Sequence, residues 1–132
     1  MKKITLVDKD KLEAIAIGGA VLGSGGGGDP YVGRLMTNQA LETADPVKVI
    51  EVDTLNDDDL ILPIAMMGAP TVMMEKFPSG NEFTHLVSMM EKLMQKKVSA
   101  ILCIEAGGLN STIPFVAAAK LGLPIVDGDA MG

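Results

Sequence analysis

Three short apolar runs, separated by stretches with helical spacing, constrain this chain more than any other feature. The runs are "LILPIAMM" at 60–67, "SAILCIE" around 100–104 and "LPIVD" around 124–127. Near-continuous apolar character in so few residues marks strands buried on both faces. Between the first two, Phe83, Val87, Met90, Leu93 and Met94 recur at helical spacing. Asn81 is placed to cap that helix, and Lys96 and Lys97 stand near the negative end of its dipole. Between the last two, "STIPFVAAAKLG" reads as a short helix ended by Gly122. Strand, helix, strand, helix, strand with right-handed crossovers makes the three strands parallel. The expectation is an α/β fold, a mostly parallel sheet with helices on both faces.

The first half feeds into that sheet. Asp10 and Glu13 have capping-box spacing, and Leu12, Ile15, Ala16, Gly19 and Leu22 share a face, which predicts a helix over 11–22. Asp29 as N-cap and Pro30 at the first helical position predict a second helix, from 30 to about 44. "VKVIEVD" at 47–53 alternates as a strand does, and "TLNDDD" turns the chain, with Asp57, Asp58 and Asp59 as a solvated corner. About six residues separate this strand from the next, too few for a parallel crossover. The two therefore pair antiparallel or lie apart in the sheet, and one strand is allowed to be antiparallel.

Bulk numbers exclude several classes. The 132 residues fit one domain, 1–132. A net charge of -6, a single arginine (Arg34) and no tryptophan speak against nucleic acid as a partner. No apolar stretch approaches the roughly 18 residues of a membrane span, and the start "MKKITLVDKDKLEA" turns charged before a signal-peptide core develops. No membrane partner and a cytoplasmic setting are expected. Cys103, the sole cysteine, excludes an internal disulfide and reads as an inert core thiol.

Candidate chemistry gathers after the strands, because open parallel sheets bind ligands beyond their carboxyl ends. There stand "GAPTVMMEK", "EAGGLNS" and "DGDAMG", offering Glu75, Glu105, Asn110, Ser111, Asp127 and Asp129 among small residues. The bland alternative is that the glycines make turns and Asn110 or Ser111 caps a helix. "LGSGGGGDPY" at 22–31 has five glycines in the six positions 23–28. Wedged between two helices, it is not a tether, and it lacks the Gly-Lys-Ser/Thr ending of a phosphate loop. It reads as a close-contact wall whose amides can meet a carbonyl or carboxylate. His85 falls on the polar side of its helix as a surface residue. Arg34 is a surface charge within reach of an anionic ligand. Met73 and Met74 can line an adaptable pocket.

Together, "LGSGGGGDPY", "AMMGAPTVMMEKFPSGNE" and "EAGGLNSTIPFVAAAKLGLPIVDGDAMG" resemble the amino-terminal part of the DUF917 family, associated with S-methyl thiohydantoin desulfurase and described as hydantoinase-like. The resemblance runs along nearly the whole chain. It implies an α/β domain with a pocket for a five-membered cyclic amide or thio-amide, and hydrolytic cleavage at a carbon–sulfur or related bond. The matching positions are Gly25, Gly26, Gly27, Gly28, Asp29, Glu75, Lys76, Glu105, Gly107, Gly108, Asn110, Asp127 and Asp129. A divalent metal, zinc, is also implied, although one His and one Cys supply no convincing ligand set.

Two functional expectations follow. In the first, the chain is the substrate-binding part of a hydrolase. Gly25 to Asp29 with Gly107 and Gly108 hold ring oxygens, Asn110 bonds the ring, and a carboxylate among Glu75, Glu105, Asp127 and Asp129 is base or metal ligand. In the second, the chain is a non-catalytic binding or assembly module. Family members are longer, and the ending "DGDAMG" falls inside a motif, so the chain is expected to be a fragment. That leaves room for a homo-oligomer or for association with a missing carboxy-terminal portion.

Overall fold

The structure, a computed structural model, describes residues 3–68, 70–76 and 78–131, apart from the side chains of Pro70, Met73 and Met74. The reading of Met73 and Met74 as pocket lining therefore falls outside the described residues. Strand β1 (Leu6–Val7) leads into helix α1 (Lys9–Gly23), then helix α2 (Pro30–Ala40) and strand β2 (Val47–Ile50). Strand β3 (Leu60–Ile64), helices α3 (Pro70–Glu75) and α4 (Asn81–Met94) and strand β4 (Val98–Cys103) follow. A 3-10 turn at Gly108–Ser111, helix α5 (Ile113–Leu121) and strand β5 (Ile125–Val126) complete the chain.

The sheet runs in the order β1-β2-β5-β4-β3. β2, β5, β4 and β3 are mutually parallel, and β1 joins β2 antiparallel through Leu6 opposite Lys48 and Val7 opposite Val47. This is the α/β, mostly parallel architecture that the sequence implies. β2 and β3 lie apart, with β5 and β4 between them. The antiparallel strand is β1, too short to leave a periodic signal.

Several boundaries differ from the sequence reading. Asp8, not Asp10, caps α1, accepting the Lys11 N–H at 2.9 Å. Gly80, not Asn81, precedes α4, and Glu82 reaches back to the backbone N–H of Ser79 at 3.1 Å. The reciprocal capping thus sits two residues earlier than the apolar pattern indicates. α2 stops at Ala40 because the next turn tightens, with Glu42 N–H donating to Gln39 and Thr43 N–H to Ala40. Asp29 and Pro30 occupy the positions expected of them, with the Tyr31 N–H on the Asp29 carboxylate at 2.9 Å.

One helix organises the core. Every residue of α5 from Ile113 to Ala119 is buried, as suits a helix apolar on all sides. It packs between the sheet and α2, where Gly33 lets the helices close: a Cβ there would lie 2.2 Å from Thr112 Oγ1. Leu12 of α1, Ala40 of α2, and Phe83 and Val87 of α4 join the same cluster as Val7, Val47, Leu62, Ile64, Ile101 and Ile125. These strand residues share one face of the sheet by register. Phe83 and Val87 of α4 and the buried residues of α5 meet at this one cluster. β3 to β4 to β5 step across the sheet in one direction, so right-handed crossovers place α4 and α5 on the same side. On the other face Ala100 and Val126 are buried, Ile50, Ile61 and Leu102 half-buried, and Pro63 exposed.

Candidate functional site

The glycine run is the hinge of the site. α1 ends with Ser24 in the left-handed region, φ 49°, and the Gly26 N–H turns back to the Gly23 carbonyl at 2.7 Å. Gly25, Gly27 and Gly28 have φ of 87°, 72° and 78°, a path that side chains resist. Asp29 then starts α2. From the other side, the segment after β4 brings Gly107 and Gly108 against this loop, and the Leu109 N–H donates to the Gly27 carbonyl at 2.8 Å. The contact is backbone on backbone. A Cβ at Gly108 would lie 2.5 Å from the Gly27 carbonyl carbon, and one at Gly107 would lie 3.2 Å from Gly23 Cα.

Beside this contact opens a cleft of about 380 Å³. Leu22, Gly23, Gly26 and Gly27 form one wall, Glu105, Ala106 and Gly107 another, and Asp129 with Met131 closes the third side. The segment after β5 is clipped to the segment after β4: the Ala130 N–H donates to the Ile104 carbonyl at 3.1 Å, and the Ala106 N–H to Asp129 Oδ2 at 3.3 Å. The other Asp129 oxygen accepts the Met131 N–H at 3.0 Å. Among the described residues, two carboxylates and no Lys, Arg or His line the cleft. Beneath it, burial foremost and then the Asp129 charge push the Cys103 thiol up to about 11. The thiol is inert, as the sequence indicates.

Asn110 joins the remaining tip. Its Oδ1 accepts the Met66 N–H at 2.8 Å, and its Nδ2 donates to the Met66 carbonyl at 3.2 Å and to Glu105 Oε1 at 2.9 Å. The three post-strand segments are therefore linked, two of them as cleft walls and the one after β3 through Asn110.

The predicted residues divide accordingly. Gly26, Gly27, Glu105, Gly107 and Asp129 line the cleft. Gly25 has open space where its Cβ would be, Gly28 packs on Leu109, Asp29 caps α2, and Gly108 and Asn110 are buried behind the wall. Glu75 and Lys76 are exposed at the end of α3, and neither lines the cleft. Asp127 stands at the β2 side, where its N–H donates to Ile50 at 2.8 Å and its charge acts on Lys3. Ser111 is buried, its hydroxyl on the Gly108 carbonyl at 2.7 Å. His85 is exposed on α4, and Arg34 is paired with Glu13 at 2.8 Å. Leu22, Gly23, Ala106 and Met131 complete the lining, and none of the four was among the predicted site residues, since nothing in an apolar or small residue signals a wall. A larger hollow of about 620 Å³ lies between the end of α2 and α5 beside Lys120, and none of the predicted residues borders it.

Among the described residues no group of three or more His, Cys, Asp and Glu comes together as a metal cage. Glu105 and Asp129 fall short of the three protein ligands a catalytic zinc takes, so the donor set here does not fit that ion. Among the described residues, no helix is long and apolar enough to cross a membrane.

Residues 10–132 match the sequence model of the family described as S-Me-THD-like, N-terminal domain. A crystal structure of a protein from Chromobacterium violaceum is similar, with a TM-score of 0.76 and 27% identity, over 96% of this chain and 35% of that one. The chain thus spans about a third of the length of that solved protein. Among curated proteins, none matches the sequence. With the match running through the glycine loop, all three post-strand tips and the cleft, the chain belongs to the S-Me-THD-like family and corresponds to its N-terminal domain.

Proposed function

We propose that the cleft holds a small, uncharged five-membered cyclic amide or S-methyl thiohydantoin, and that this chain is the substrate-binding, catalytic amino-terminal domain of a hydrolase. One observation carries the reading: a wall of glycine backbone faces two carboxylates across a cleft that has no basic lining residue among the described residues. Bare backbone lets a flat ring approach closely, while Glu105 and Asp129 accept its N–H groups. The same charges repel phosphate or carboxylate ligands. In hydrolysis, water adds to the ring carbon bearing sulfur and the C–S bond breaks; methanethiol leaves with one water proton, the adjacent ring nitrogen takes the other, and the ring keeps the oxygen as a carbonyl. A cleft carboxylate positioned beside the water takes up and returns the proton.

The half-open sheet face favours a companion reading, in which the domain binds the ring and further protein completes the site. Thermal shift and calorimetry with hydantoin and an S-methyl thiohydantoin test binding, and methanethiol release tests turnover. Binding with release supports the hydrolase, and binding without release supports the companion reading. No binding of either ring to the folded chain removes both.

A further inference from the structure

We propose that Asn110 is a positioning residue for this cleft: it fixes the Glu105 carboxylate at the rim instead of touching the ligand itself. The proposal deepens the ligand reading above and rests on it. Asn110 is only 5% exposed and sits one turn behind the wall, in the 3-10 turn Gly108–Ser111. Met66 offers it a backbone N–H and a backbone carbonyl, which together fix the orientation of the amide. Oδ1 must face the N–H at 2.8 Å, so Nδ2 is left with two protons, one for the Met66 carbonyl and one for Glu105 Oε1 at 2.9 Å. An amide alone among short side chains supplies that acceptor and both donors. Asp would set a third oxygen against the Met66 carbonyl and the Glu105 carboxylate, and Ser lacks the second proton.

The consequence is geometric. Glu105 follows β4 in an irregular segment, and a long carboxylate side chain there has several rotamers to lose on meeting a ligand. Anchored to the segment after β3, the Asn110 donor removes that freedom beforehand and leaves the carboxylate at the cleft as a preset acceptor. Asn110 therefore acts through Glu105, and its effect disappears when Glu105 is removed.

A double-mutant cycle reads this directly. Hydantoin affinity is measured by calorimetry for the native chain, N110A, E105A and N110A/E105A. In the native background N110A weakens binding at least about fivefold, and in the E105A background it changes nothing further. Equal losses in both backgrounds, or no loss in either, overturn the proposal. A second readout needs no ligand: the Asn110 side-chain amide protons, followed by 15N NMR, exchange slowly in the native chain and in E105Q and lose protection in E105A. Unchanged protection in E105A overturns the clamp. Should N110A fail to fold, the E105A and E105Q spectra, read on the native Asn110, decide between the two outcomes. A native chain that ignores hydantoin sinks the ligand reading, and the spectra alone then test the clamp.

Discussion

The backbone N–H of Leu109 donates to the carbonyl of Gly27 at 2.8 Å, joining the tip after β4 to the loop between α1 and α2. Because Gly108 packs on that same carbonyl group with φ 59°, Gly108→Ala combines left-handed strain with a clash against backbone. The expected loss is about 3 kcal/mol or more. Gly25→Ala, at φ 87° in open space, carries the strain alone and is expected to cost about 1 kcal/mol. Urea unfolding of the two variants checks the contrast.

The two sheet faces predict opposite responses to truncation. Leu62→Ala and Ile101→Ala open cavities in the shared core and are expected to cost about 2–5 kcal/mol each. Ile61→Ala, one residue away and half-buried on the opposite face, is expected to cost about 1 kcal/mol or less. Denaturation midpoints at equal m-value report the difference.

At alkaline pH the buried thiol destabilises the fold. Its folded pKa of about 11 lies above the ordinary 9.0, so the native state holds the proton more tightly than the unfolded chain. That stability is fully present below pH 9 and is lost as pH rises toward about 11, on the order of 2 kcal/mol in all. Cys103→Ala flattens this limb, and a thiol reagent at pH 8 labels the native chain only as fast as it opens. At the acid end the sign reverses. The Asn56 N–H holds the Asp59 carboxyl below its usual range, and Lys97 does the same for Glu91. Their contribution is present above the ordinary carboxylate range and fades as pH falls through the lowered values. Asp59→Asn is expected to blunt the acid limb of a stability–pH curve.

Charge at the cleft predicts ligand preference. Hydantoin is expected to bind roughly tenfold more tightly than its 5-acetate derivative, with the gap narrowing in high salt. Glu105→Gln with Asp129→Asn removes the preference. Equal affinities for the two rings in low salt would contradict the role given to these carboxylates.

The sequence made the parallel core legible because β3, β4 and the α5 helix carry their period, or its absence, in strongly apolar residues. It missed β1, whose two residues are held by pairing with β2, and it misplaced the caps of α1 and α4, where Asp8 and Glu82 act from outside the apolar pattern. The order of the strands across the sheet, β1-β2-β5-β4-β3, is likewise encoded by no local pattern. Post-strand position pointed to Glu105 and Asp129, which line the cleft, and equally to Glu75 and Asp127, which do not line it. Separating them required knowing how far α3 carries Glu75 and on which side of β5 Asp127 leaves the sheet. Asn110 was visible as a polar residue among glycines. Its attachment to Met66, 44 positions earlier, was not.

Where main chain meets main chain between Gly23 and Gly27 on one side and Gly107 and Gly108 on the other, there is no side chain to exchange, and adding one jams the joint. Substitution therefore has little freedom to retune that wall. If the cleft holds the proposed ring, a change of selectivity has room only at the rim, at the positions of Leu22, Glu105, Asp129 and Met131.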